Sequence, residues 1–150
     1  MIAMQTLAAC LLLAANTYQV PPAVMIGIMH VEAGHVGQEV GPNSNGTFDL
    51  GPMQVNSRWI PTLAQYWHVD QRTAKTWVRD NGCVNVHVAA WILRQKISEA
   101  GYLYGGIARY HSASGNRGGR YAAKVIAVME RKGLIKHDET KVALQRYAQR

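Results

Sequence analysis

The stretch Val20–His35, "VPPAVMIGIMHVEAGH", decides how the rest of the chain is read. The Pro21–Pro22 pair suits the opening of a helix, where a missing amide hydrogen leaves no intrahelical bond unmade. Val24, Ile28 and Val31 recur at helical spacing and mark one apolar face. Gly34 is a natural stop. Glu32 therefore falls in the last turn of a helix, on the face that carries Val24 and Ile28. Apolar surroundings disfavour a charged carboxylate. The negative end of the helix macrodipole disfavours it as well. Both effects push the carboxyl pKa upward, and a carboxyl that stays protonated near neutral pH can donate a proton to a leaving oxygen. The plainer reading is a helix-end Glu turned out to solvent.

The neighbouring histidines raise a different expectation. Glu32 and His35 form Glu-x-x-His, a spacing that di-iron bundles use twice, together with two further glutamates. No second Glu-x-x-His occurs in this chain. Zinc proteases need His-Glu-x-x-His, and "HVEAGH" is not that pattern. The residues around Glu32 therefore argue against a metal site.

Moving outward, "HVGQEVGPNSNGTFDLGPMQVNS" is rich in Gly, Asn, Ser and Pro and reads as loop, with a small hairpin around "NSNGTFD". Asp49 supplies a second carboxylate. Gly51 permits close backbone approach. Gln54 and Asn56 alternate, so in an extended strand both face one side. Amides suit hydroxyl and acetamido groups, and Trp59 offers a stacking face. An acid, a second carboxylate, a pair of amides and an aromatic are what glycosidic cleavage asks for.

The rest of the chain reads as helix. The segment before Tyr18 is apolar and small-residue-rich, yet it lacks the basic start of a signal peptide and is short for a membrane span. It reads as a core-facing first helix, with any export signal lying upstream. "RWIPTLAQYW" and "DQRTAKTWVRD" read as short helices, and "CVNVHVAAWILRQKISEAG" as a long one. "GGIARYHS" and "GRYAAKVIAVMERKG" follow as two more, and "HDETKVALQRYAQR" as a polar final helix. The expected class is mainly α, one globular domain over residues 1–150, with a core of about 7–133 and a polar tail over 134–150.

Composition narrows the functional classes. With 150 residues, 48% hydrophobic and 17% charged, the chain can bury a core and is not of disordered type. Its net charge of +7 favours polyanionic partners, whether nucleic acid, wall or membrane surface. The basic residues are scattered, and no zinc finger, RNA-binding sheet motif or polybasic arm is present, so charge alone is what speaks for nucleic acid. Cys10 and Cys83 are the two cysteines. In an oxidising compartment they can staple the first helix to a later one; the plainer reading is two buried thiols.

At this point the chain resembles a lysozyme-like lytic transglycosylase, of the single-domain sort that accompanies secretion systems and conjugative pili. "VPPAVMIGIMHVEAG" resembles the helix that ends in the catalytic Glu, here Glu32. "DLGPMQVNS" resembles the Gly-x-Met-Gln motif, at Gly51, Met53 and Gln54. "ARYHS" resembles the Ala-Tyr-Asn/His motif, with Tyr110 and His111. "RYAAKV" resembles the late tyrosine segment, with Tyr121, and "CVNVHVAAWILRQKI" the intervening helix, with Asn85. Two departures stand out: Ala33 replaces the usual Ser, and Pro52 stands where many relatives carry Leu. "FDLGPMQVNSRW" also resembles the active-site strand of animal lysozymes, which carries an Asp.

The resemblance implies a lysozyme-like fold and cleavage of the β-1,4 bond from N-acetylmuramic acid to N-acetylglucosamine in peptidoglycan, ending in a 1,6-anhydro product. It implies Glu32 as the acid and then the base, and Asp49 as an auxiliary. Met53, Gln54, Asn56, Trp59, Tyr110, His111 and Tyr121 are expected to contact substrate. Their plainer readings are core tyrosines, a turn amide and a packing methionine. The implied partners are glycan strands and components of a secretion or pilus machine, and the implied location is periplasmic or otherwise extracytoplasmic. A muramidase that uses Asp49 and water, and a non-catalytic peptidoglycan-binding module, are the competing expectations.

Overall fold

Apolar periodicity becomes eight α-helices in the computed structural model, which describes residues 4–112 and 114–148. In chain order these are α1 (Met4–Tyr18), α2 (Pro22–Glu32), α3 (Ile60–Trp67), α4 (Gln71–Asp80), α5 (Gly82–Ala100), α6 (Leu103–His111), α7 (Gly115–Arg131) and α8 (His137–Ala148). Three two-residue strands lie between α2 and α3: β1 (Glu39–Val40), β2 (Asp49–Leu50) and β3 (Val55–Asn56). A single 3₁₀ turn, Ser57–Trp59, leads into α3. The mainly α class with a small β element is what the sequence leads one to expect. The β element is larger than a hairpin, because the turn after Leu50 brings Val55–Asn56 back against β2. The sheet runs in the order β1-β2-β3, antiparallel throughout, with Val40 opposite Asp49 and Asp49 opposite Asn56.

The chain divides into two compact units, each drawn from separate stretches of sequence. The first comprises Met1–Leu13 and Glu32–Ala89; the second comprises Ala14–Val31 and Ala90–Arg150.

In the first unit, Leu50, Met53, Val55, Ala74, Val78 and Val86 are almost wholly removed from water. Local chemistry sets the helix limits. Asp70 caps α4 by accepting from the Thr73 amide at 2.7 Å, and that bond holds its carboxyl below the usual range. His68 ends α3 in the left-handed region at φ 57°.

Cys10 of α1 and Cys83 of α5 are joined by a disulfide, with Cα atoms 5.3 Å apart, inside the span such a bond requires. The bond links residues separated by 73 positions. A cross-link over so long a stretch removes much freedom from the unfolded chain and typically stabilises by about 2–4 kcal/mol. Reduction is therefore expected to lower the thermal midpoint, as scans with and without reductant will read. Two titratable thiols in the unreduced, unfolded protein would count against the bond.

In the second unit, Val24, Met25 and Ile28 of α2 are fully buried. Gly27 lets α2 approach α7 closely: a Cβ there would stand 3.0 Å from side-chain atoms of both Val125 and Met129. Gly118 does the same for α7 against α6, where a Cβ would meet the Ala108 carbonyl at 2.8 Å. The tail expected to be helical is α8. His137 at its start lies 2.6 Å from Glu130 of α7, which lowers the Glu130 pKa. Among the described residues, no helix is long and apolar enough to cross a membrane.

Candidate active site

Glu32 is the last residue of α2 and is half-buried. The chain turns sharply after it. Ala33 takes φ +51°, a left-handed conformation that ends the helix. The segment that follows is tied down by main-chain groups of the first unit. Gly37 donates to the Arg79 carbonyl at 2.7 Å, Gln38 accepts from the Gly51 amide at 2.9 Å, and the Gln38 side chain accepts from the His35 amide at 3.0 Å. Arg79 pairs with Asp80, which holds the Asp80 carboxyl below its ordinary range. Glu39 is paired with Lys75, whose ammonium also lies 5.4 Å from the centre of the Phe48 ring.

Asp49 is half-buried on β2, and both its oxygens accept from amides. Asn43 Nδ2 reaches Oδ2 at 3.1 Å, and Asn56 Nδ2 reaches Oδ1 at 3.1 Å. Thr47 Oγ1 accepts from the same two amides, at 3.1 and 2.9 Å, and donates to Asn45 Oδ1 at 2.6 Å. The result is a closed polar network across the sheet. Asn56 does a second job: its Oδ1 accepts from the Arg58 amide at 3.0 Å and caps the 3₁₀ turn that carries Trp59. The Arg58 guanidinium lies 5.8 Å from the centre of the Trp59 ring.

The Gly51–Gln54 segment is a tight turn and not an extended strand. Gly51 has φ +69° and Gln54 φ +51°. Gln54 consequently does not alternate with Asn56 along a strand. Its Nε2 instead donates to the Gly51 carbonyl at 2.9 Å, beside its own amide at 3.1 Å. Met53 has no exposed surface, so its side chain packs in the core and offers none to a ligand.

What holds this turn is Asn85 of α5. The residue is fully buried. Its Nδ2 donates to the Leu50 carbonyl at 2.8 Å and to the Val78 carbonyl at 2.9 Å, and its Oδ1 accepts from the Met53 amide at 2.8 Å. The sequence carried a signal for this, a lone amide between Val84 and Val86 in an apolar run. A buried amide with no partner is costly, so one in such a run implies partners. Which backbone groups it meets is invisible without the fold. Asn43 and Thr47 carry no comparable signal and read from the sequence as ordinary loop residues.

The second unit gathers the other residues singled out from the sequence. Tyr110 and His111 close α6, and Tyr121 lies on α7. The His111 ring lies parallel to Tyr121, with centroids 4.5 Å apart and planes inclined by 8°. Tyr110 stacks with Tyr121 at 6.5 Å. Tyr121 is buried, Tyr110 half-buried and His111 exposed.

Comparison with known proteins bears on this arrangement. No curated protein matches the chain. The family described as "Transglycosylase SLT domain" matches over residues 9–125, from α1 into α7. That span holds the helix ending in Glu32, the braced Gly51–Gln54 turn, the α5 amide and the stacked aromatic residues, and on that match the chain belongs to the transglycosylase SLT domain family, whose members are lytic transglycosylases acting on peptidoglycan.

Proposed function

We propose that this chain, acting as one domain over residues 1–150, cleaves the β-1,4 bond between N-acetylmuramic acid and N-acetylglucosamine with Glu32 as its acid. The observation that carries the reading is the placement of Glu32. It is a half-buried carboxyl at the end of an apolar helix, in the same unit as a turn that Asn85 braces at the Leu50 carbonyl and the Met53 amide. Glu32 gives its proton to the glycosidic oxygen as the bond to C1 breaks. The acetamido group of the muramic sugar steadies the cationic carbon. Glu32, now a carboxylate, takes the proton of the C6 hydroxyl as O6 closes on C1, which leaves a 1,6-anhydro end. The residues need no cofactor for these steps. Gln54, Asn56 and Trp59 of the first unit and Tyr110, His111 and Tyr121 of the second are assigned to contacts with sugar, while Met53 packs in the core of the first unit. Mass spectrometry of digested sacculi tests the reading, because an anhydro end is lighter than a hydrolysed one by a water.

A muramidase reading has one observation in its favour, the placement of Asp49. Two side-chain amides hold its carboxyl in position on β2, and a fixed carboxylate can steady a sugar cation while water adds to C1. The two readings divide on Asp49→Asn. In the transglycosylase, the variant loses one amide bond, retains anhydro products and is slowed less than Glu32→Gln. Complete loss of activity, with hydrolysed ends as the wild-type product, would establish the muramidase.

The biological setting we propose is extracytoplasmic, periplasmic in a bacterium, where the enzyme opens the wall locally for a secretion or pilus apparatus. The net charge of +7 suits contact with an anionic wall. Loss of assembly of that apparatus in a Glu32→Gln strain is the expected result; normal assembly would separate the enzyme from it.

A further inference from the structure

Gly34 is the only residue between Ala33 and His35, and its requirement for glycine is not one of backbone freedom. The glycines at 37, 41, 46 and 51 have positive φ, whereas Gly34 lies outside that region. What Gly34 lacks is room. A Cβ built on it would stand 2.1 Å from the Gly51 carbonyl oxygen and 2.7 Å from Gln54 Nε2. The stretch that leaves Glu32 therefore lies directly on the Gly51–Gln54 turn. That turn is held from another side by Asn85, since a Cβ on Gly51 would meet Asn85 Nδ2 at 2.4 Å. The Gly51 oxygen that faces Gly34 already accepts from both nitrogens of Gln54, main chain and side chain. An obstacle made of a main-chain carbonyl cannot swing aside as a flexible side chain can.

We propose that Gly34 and Gln54 are positioning residues for Glu32: the glycine seats the post-helix segment on the turn, and the Gln54 amide keeps the seat rigid. The direction in which the Glu32 carboxyl leaves α2 is thereby set by a surface two residues away. Ala33, in its left-handed conformation, is the joint between them, and such a conformation in a non-glycine residue persists only where the surroundings over-determine it. Gln54 then acts through the protein and not chiefly by gripping sugar. The inference rests on Glu32 being the acid, so Glu32→Gln is measured in parallel.

The test is steady-state cleavage of soluble peptidoglycan strands by Gly34→Ala and Gln54→Ala, at a temperature where circular dichroism shows each variant folded. Gly115→Ala is the control, because a Cβ there meets nothing within 4 Å. Displacements of about 1 Å cost up to about 10²-fold in rate. Both variants are expected to lower kcat, Gly34→Ala by roughly 10–100-fold, with KM little changed. A merely structural glycine would lower the thermal midpoint and leave kcat of the folded fraction intact, which would overturn the proposal. A sugar-gripping Gln54 would raise KM and spare kcat, which would overturn its part. Should Gly34→Ala fail to fold, the kcat and KM of Gln54→Ala decide alone. Undiminished cleavage by Glu32→Gln would instead remove the proposed acid, a different failure.

Discussion

Glu32→Gln is expected to lower the rate of peptidoglycan cleavage by roughly 10²–10⁴-fold, the usual scale for loss of a general acid or base. Glutamine keeps the size and the hydrogen-bonding reach of glutamate but cannot give up a proton to a leaving oxygen. The proposed reaction uses the same carboxyl twice, first as acid and then as base, so one substitution removes both steps. The fold should be indifferent to it, because Glu32 is half-buried at a helix end. A neutral amide also sits more easily than a carboxylate at the negative end of α2. The measurement is clearance of peptidoglycan suspensions, with circular dichroism as the check on folding. Near-normal clearance by a folded variant would sink the assignment.

Asn85→Leu is expected to destabilise the protein by about 3–6 kcal/mol. Leucine is close to asparagine in shape, so the change removes hydrogen bonds while leaving little void. Three buried main-chain groups lose their partner: the carbonyls of Leu50 and Val78 and the amide of Met53. Each group left unsatisfied costs about 1–3 kcal/mol, and the lone amide hydrogen suffers most, since a carbonyl has a second lone pair. For a chain of this size the thermal midpoint should fall by roughly 10–20 °C. Calorimetry reads it directly, and a loss below about 1 kcal/mol would mean that the turn is held by something else. Because the same turn seats Gly34, surviving folded Asn85→Leu should also cleave more slowly than its folded fraction accounts for.

Much of this was legible before any coordinates, for a physical reason. The helices are written in local terms: Val24, Ile28 and Val31 at helical spacing, a Pro pair at the opening of α2, a glycine just beyond its end. Such signals act within a few residues of each other, so a linear reading captures them. The position of Glu32, on an apolar face in the last turn of a helix, was legible in the same way, whereas its role as an acid came from the polar segment that follows and from the resemblance of the motifs in order.

Gln54 marks where that kind of reading stops. Alternation with Asn56 suggested a strand facing a sugar, but Gln54 is in a left-handed turn and bonds the Gly51 carbonyl. Local sequence permitted both conformations; pairing of β3 with β2 selected one. The third strand, the two amides on Asp49 and the bonds from Asn85 to residues 32 and 35 positions away were beyond reach for a like reason. They join groups that only long-range packing brings together. The sequence alone determined a mainly helical chain with an acid at the end of α2 and two cysteines able to cross-link. The tertiary structure alone decided that Gly34 has no space for a Cβ and that a buried asparagine supports the turn beneath it, because close approach is a property of surfaces distant in the chain.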